Sequence, residues 1–352
     1  MVTLAHLERV ERRLQPARYT ARCTEGDPEH RRRVVGGRPL VLAVLGPTAS
    51  GKSALALAMA ERYGGEIINC DSTAVYRGFD IGTDKVPLAA QRGIPHHLID
   101  IADPTDVYTA AQYARDAARA IRDVHARGNV PILVGGTGLY YRALTRGLFP
   151  GPGADEELRV RLNRVADRRG VESLHRMLDR IDPRSAARIL PRDRKRIVRA
   201  LEVYFTSGRP LTEHFTHTAS LIADCEVIAL GLRLPAALTA ERVARRVDEQ
   251  FARGIVAEVR GLLARGVPAT ARPFGGFVYR QVMDMLRGGR DEAATRALIA
   301  QENRRYARRQ LIWFRKEPNL MWFEGPGERH ETLIGVQEAL AARGLQPRGD
   351  AA

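Results

Sequence analysis

The chain has 352 residues, 44% of them hydrophobic and 28% charged, enough for one large or two ordinary domains with a real core. No apolar run approaches the roughly eighteen residues of a membrane span, and Glu8, Arg9, Glu11, Arg12 and Arg13 argue against a secretory signal, so a soluble cytoplasmic protein is expected. The net charge of +15 favours a polyanionic partner, nucleic acid first.

Of the 56 basic residues only Lys52, Lys85, Lys195 and Lys316 are lysines, so arginine abundance says less than local clustering does. Cys23, Cys70 and Cys225 are odd in number and far apart, which suits reduced thiols rather than zinc or disulfides.

Residues 1–38 carry nine arginines against five acids and read as a disordered basic extension. Leu40 to Leu45, LVLAVL, is a continuous apolar run ending in glycine, the pattern of a buried parallel strand. ALALAMAERYGG then reads as a helix stopped by Gly64 and Gly65, and EIIN as a second strand. A helix over YTAAQYARDAARAIRDVHARG, a third buried strand VPILVGG and a helix from GLYYRALTRG follow. This alternation predicts an α/β fold: a phosphate-loop core whose parallel sheet is covered by helices.

Glycines and prolines at about residues 147–157 break the pattern. Residues 154–221 are arginine-rich and helical in pattern and are expected to form an insertion. CEVIALGLRL near 225–234 returns to the sheet. The expected organisation is a catalytic core over 39–153 and 222–330, a helical insertion over 154–221, and a tail over 331–352.

Gly46-Pro47-Thr48-Ala49-Ser50-Gly51-Lys52-Ser53 lies between the first strand and its helix and fits G-x-x-x-x-G-K-[ST]. Its backbone amides and helix N-terminus favour phosphate, Lys52 adds a charge, and Ser53 suits Mg²⁺. The loop identifies a pyrophosphate-like ligand without identifying the chemistry. ILVGG ends without the acid many nucleotide hydrolases carry there, and no guanine-reading NKxD occurs, which argues against an NTP motor or switch.

Asp71 ends the second strand, where strand ends line a ligand crevice. It reads either as a base or metal-directed carboxylate, or as a turn aspartate. In Gly135-Gly136-Thr137-Gly138, Thr137 offers a hydroxyl to a developing anion, or simply turns strand into helix. In ENRRYARRQLIWFR, Arg304, Arg305 and Arg308, with Arg309 and Arg315, suit RNA phosphates. Tyr306, Trp313 and Phe314 could stack bases, although core packing is favoured for Trp313 and Phe314. Arg280, in FVYRQ, carries no signal alone. His96 and His97 sit on an extended segment and point oppositely, which argues against a metal pair.

Together GPTASGKS, DSTAVYRGFDIGT, PHHLID, GGTGLYYRAL, DPRSAARILPRDRKRIVRALEV, VYRQV and RRYARRQLIWFR resemble the ordered motifs of the tRNA dimethylallyltransferases, from about Leu40 to about Phe323. The resemblance implies transfer of a dimethylallyl group from dimethylallyl pyrophosphate, with Mg²⁺, to N6 of the adenosine 3′ of the anticodon, in tRNAs reading codons that begin with U. It implies Asp71 as general base and Thr137 and Arg280 as pyrophosphate ligands beside Lys52 and Ser53. Ser72, Thr73 and Ala74 fall where the family contacts the target base. Arg159, Lys195, Arg196, Arg199, Arg304, Arg305 and Arg308 fall where it contacts tRNA. Thr73-Ala74 replaces the family's frequent Met-Gln, and Val278 replaces a common glycine. A monomer is expected. The rival readings are an isopentenyltransferase acting on free adenine nucleotides and a small-molecule kinase. The arginine-rich helices serve no purpose in either.

Overall fold

The computed structural model describes residues 34–215 and 218–348. Most of the basic extension expected over 1–38, with Cys23, lies outside them. Residues Val34–Val35 (β1) and Arg38–Leu45 (β2) form a small antiparallel pair. The sheet continues through Gly65–Asn69 (β3), His96–His97 (β4), Val130–Gly135 (β5), Glu226–Arg233 (β6) and Leu320–Glu324 (β7). Six strands run parallel in the order β4-β3-β5-β2-β6-β7. The expected α/β architecture is therefore the observed one.

β2 is central, between β5 and β6, which is why LVLAVL alternates with nothing polar: both of its faces are covered. On one face, Lys52–Tyr63 (α1) packs on Leu40, Leu42 and Val44. On the other, Ala110–Ala126 (α2) and Gly138–Thr145 (α3) pack on Val41, Ala43 and Leu45. α2 starts on a capping box in which Thr109 and Gln112 satisfy each other's backbone amides.

Residues 156–214 form Glu156–Arg169 (α4), Val171–Ile181 (α5), Pro183–Ala186 (α6), Arg194–Ser207 (α7) and Leu211–His214 (α8). They close around their own apolar cluster, centred on Leu174, Leu178, Ile197 and Leu201. At its edge sits the carboxylate of Glu202, whose side chain has no exposed area. It takes Arg199 at 2.6 Å and Arg159 at 2.9 Å.

After β6 come Ala236–Ala252 (α9), Ile255–Ala264 (α10), Phe277–Leu286 (α11) and Glu292–Phe314 (α12), which build a third cluster with Val75, Phe79 and Tyr279. β7 then adds an edge strand, and His330–Ala341 (α13) follows. The tail expected over 331–352 is corrected here: Val336, Leu340 and Leu345 are 0–1% exposed and join the α1-side core. Their spacing is that of an amphipathic helix and its stop, which burial against the sheet makes stable. β7, which pairs in parallel with β6, was not singled out from the sequence.

Candidate active site

A cavity of about 860 Å³ opens at the carboxyl ends of β2, β3 and β5. The phosphate loop forms one wall and the 71–74 turn and Gly135 a second, and residues 82–86, α9, α11 and α12 contribute others. Of the four lysines in the chain, Lys52, Lys85 and Lys195 line it.

In the phosphate loop, Gly51 caps α1 with φ of 83°, a left-handed turn that favours glycine. The outward carbonyls of the loop are pinned: Ala49 O accepts from Arg242 Nε at 2.7 Å, and Ser50 O from the Gly327 amide at 2.9 Å. Lys52 Nζ donates to Pro47 O at 2.7 Å. Desolvation in the crevice, and then the neighbouring Arg246, lower the Lys52 pKa to about 8 against the opposing pull of Asp71 and Asp84.

Arg242 and Arg246 are one turn apart on α9, and both line the cavity. Arg246 donates to Thr48 Oγ1 at 2.8 Å and pairs with Asp84 at 3.3 Å. Desolvation raises the Asp84 pKa, more than Arg246 and Gln250 lower it. Arg242 pairs with Glu328 at 2.6 Å. Neither arginine was singled out from the sequence. Their i, i+4 spacing was a usable signal, but such pairs recur throughout so arginine-rich a chain.

Asp71 stands just past the end of β3. Its Oδ1 accepts from the Thr73 amide at 2.9 Å and from Thr73 Oγ1 at 2.7 Å, which makes it a turn aspartate. Its Oδ2 carries no such bond among the described residues, and Asp71 lines the cavity with Ser72, Thr73 and Ala74. Thr137 Oγ1 accepts from the Ser72 amide at 3.0 Å, so the two strand-end turns are joined through the two residues. Tyr306 lines the cavity too. Burial first, and then the Asp71 charge, raise its phenol pKa.

α12 divides its faces. Asn303, Tyr306 and Gln310 line the cavity, while Arg304, Arg305 and Arg308 are exposed and pair with no carboxylate among the described residues. Phe314 is fully buried, as core packing required, and Trp313 lies under the Arg142 guanidinium at 4.4 Å.

The remaining expected residues are placed differently. Arg280 is not brought to the cavity wall; its side chain is 55% exposed and pairs with Glu302 at 2.7 Å. Arg159 and Arg199 are engaged by Glu202, and Arg196 is exposed beside Asp193 at 3.3 Å. Lys195, at the start of α7, is the insertion residue that reaches the cavity. His96 Nδ1 bonds Ile94 O at 2.8 Å and His97 Nε2 meets Glu66 at 2.6 Å, with no shared ligand. Burial pushes the Cys70 and Cys225 thiols up to about 12, which disfavours the thiolate.

The arrangement joins an anion cradle, a carboxylate and an exposed basic helix. Residues 74–317 match the family model described as IPP transferase. The chain is 49% identical over 298 residues to a tRNA dimethylallyltransferase of Geobacter metallireducens, covering 84% of this chain and 96% of that one. It is 48% identical over 307 residues to a tRNA dimethylallyltransferase of Solibacter usitatus, covering 86% and 98%. Its fold is similar to the crystal structure of the full-length tRNA isopentenylpyrophosphate transferase of Bacillus halodurans. The TM-score is 0.63 at 34% identity, covering 86% of this chain and 96% of that one. A eukaryotic dimethylallyltransferase acting on tRNA shares the fold, with a TM-score of 0.70 at 24% identity, covering 86% and 78%.

Proposed function

The chain belongs to the IPP transferase family and transfers a dimethylallyl group to tRNA; from that premise we propose that the donor is dimethylallyl pyrophosphate and the acceptor N6 of the adenosine 3′ of the anticodon, in cytoplasmic tRNAs reading codons that begin with U. One observation carries this reading: the phosphate loop and the Asp71 carboxylate share a single cavity, one wall of which is α12, a helix that also carries the exposed Arg304, Arg305 and Arg308. A phosphate loop alone suits many donors. A loop facing a carboxylate across a space of about 860 Å³ suits transfer of a small group to a nucleophile that enters from the RNA side.

An exocyclic adenine amine is a weak nucleophile, because its lone pair is delocalised into the ring. The amine attacks C1 of the donor, the C1–O bond breaks, and pyrophosphate leaves with the electron pair. The loop amides, Lys52, Arg242 and Arg246 bind the leaving group and stabilise its growing charge. Asp71 Oδ2 orients the amine and accepts its proton. Thr137, tied to Ser72, holds the turn that carries Asp71. The exposed row of Arg304, Arg305 and Arg308 contacts RNA phosphates, with Lys195 at the cavity edge, and offsets the few kcal/mol of unstacking the target base.

The oxygens near the phosphate loop suit Mg²⁺. Ser53 offers a hydroxyl, Asp71 and Asp84 line the same cavity, and no group of three or more His, Cys, Asp or Glu side chains among the described residues forms a closed cage. Such a site fits an ion that keeps water and substrate phosphates among its ligands. When bound, Mg²⁺ neutralises pyrophosphate charge.

The test is incubation of an anticodon stem-loop with dimethylallyl pyrophosphate and Mg²⁺, read by mass spectrometry. The expected result is a mass gain of one dimethylallyl group on the adenosine 3′ of the anticodon. Transfer to free adenine nucleotides in preference to RNA, or ATP consumption with a small acceptor, overturns the reading.

A further inference from the structure

The β2–β5 ladder ends at the pair Leu45 and Gly135. Beyond it the two chains part into the phosphate loop and the Thr137 turn. Gln310, from α12, supplies the next rung. Its Oε1 accepts from the Thr48 amide at 2.8 Å, and its Nε2 donates to Gly136 O at 2.9 Å. The side chain is 5% exposed. A Cβ at Gly136 would collide with Gln310 Nε2 and displace it from this position.

A primary amide is suited to this place. It holds a donor and an acceptor in one plane, and so bonds an amide of one loop and a carbonyl of the other together. A carboxylate could not donate to Gly136 O and would set a negative charge beside the phosphate loop. The connection continues on the acceptor side, because the residue after Gly136 is Thr137, which accepts from the Ser72 amide, next to Asp71.

We propose that Gln310 is a positioning residue that fixes the distance between the bound pyrophosphate and the amine held by Asp71. The inference rests on the prenyl-transfer reading above. Both ends of the Gln310 amide are engaged by backbone groups of the two turns. It acts by holding the donor loop and the acceptor turn in register. In-line displacement is sensitive to that distance, and a misplacement of about 1 Å lowers rates by about 100-fold.

The test uses the full chain, dimethylallyl pyrophosphate, Mg²⁺ and the anticodon stem-loop. Gln310→Met removes both hydrogen bonds at similar volume, and near-ultraviolet circular dichroism gives the folded fraction. Per folded molecule, kcat is expected to fall by about 100-fold, while donor KM stays within about threefold. A kcat within about twofold of the parent overturns the proposal. So does a loss confined to KM, which would make Gln310 a prop for the phosphate loop alone.

A double-mutant cycle with Thr137→Val is read on kcat per folded molecule, each variant corrected for its own folded fraction. If Gln310 acts through the Thr137 turn, the double variant is about as slow as the slower single variant. Multiplication of the two losses overturns the proposal. Failure of the parent chain to modify any RNA would overturn the reaction assignment itself, and is seen before any variant is assayed.

Discussion

Glu328 reaches back from the turn after β7 and pairs with Arg242 at 2.6 Å, while the Gly327 amide beside it bonds Ser50 O in the phosphate loop. Residues near the two ends of the described chain thus brace one another, and Arg242 links them by donating to Ala49 O. A hydrogen bond to a charged group contributes about 1.5–3 kcal/mol. Arg242→Ala is therefore expected to raise donor KM by about 10- to 100-fold. Glu328→Gln, which leaves Arg242 in place but less firmly held, should shift KM in the same direction by only a few-fold. Steady-state kinetics with varied donor measures both; a larger effect from Glu328→Gln would reverse the order of roles.

Burial and the neighbouring Arg246 lower the Lys52 pKa to about 8. Lys52 is charged below that pH and neutral above it, and only the charged form attracts pyrophosphate. The donor kcat/KM, which reports the free enzyme, should fall by about tenfold per pH unit above about pH 8. Bound pyrophosphate favours the charged amine, so kcat should hold to higher pH. A pH series of both constants checks this, and an unbroken kcat/KM up to pH 10 would remove Lys52 from donor binding.

Asp71 is expected to act on the reacting amine rather than on donor affinity. Asp71→Asn preserves an acceptor for Thr73 but cannot take the proton. It should lower kcat by about 100- to 10,000-fold with little change in donor KM. Single-turnover transfer to the stem-loop, with pyrophosphate binding measured by calorimetry, separates the two effects.

Arg280 offers a contrast with Arg246. The first pairs with Glu302, away from the cavity wall, and the second bonds Thr48 in the phosphate loop. Arg246→Ala should weaken pyrophosphate binding by at least about tenfold more than Arg280→Ala does. Calorimetric titration of the two variants decides it. Equal losses would mean that Arg280 leaves Glu302 when the donor binds.

Glu202 anchors the helical segment between α3 and β6. Burial pushes its pKa up, but hydrogen bonds from Arg199, the Asp155 amide and Arg159 outweigh it and hold the carboxyl below its usual range. The resulting stabilisation is present above the ordinary carboxyl pKa and is lost as pH falls through the lowered one. Glu202→Ala should destabilise this segment by about 3–5 kcal/mol, because two arginines lose their shared partner. Thermal unfolding followed by circular dichroism measures it, and RNA affinity should fall in the same variant.

Much of this was legible from short-range patterns. The apolar run of β2, the glycines and Lys52 after it, and Asp71 at the next strand end each sit within a few residues of the element that positions them. Gln310, Arg242 and Arg246 were not legible. They reach the phosphate loop from about 190 to 260 residues away, as the Thr48 contacts of Gln310 and Arg246 show. Spacing along the chain does not encode that approach. Gln310 is also uncharged within a run of arginines, where attention goes to the charge. Arg280 shows the converse. A motif singled it out, but the motif did not show that Glu302 would engage its guanidinium.

The concentration of lysines around the crevice has a practical side. In a chain whose positive charge is nearly all guanidinium, side-chain primary amines are scarce, and three of the four surround the cavity. Lys85 is tied to Asp80 and Asp100, whereas Lys52 has an amine that is neutral far more often than an ordinary lysine at physiological pH. An acylating reagent of modest size would therefore label the crevice ahead of the outer surface, and pyrophosphate would shield it. The same chemistry offers a place to tether a covalent inhibitor.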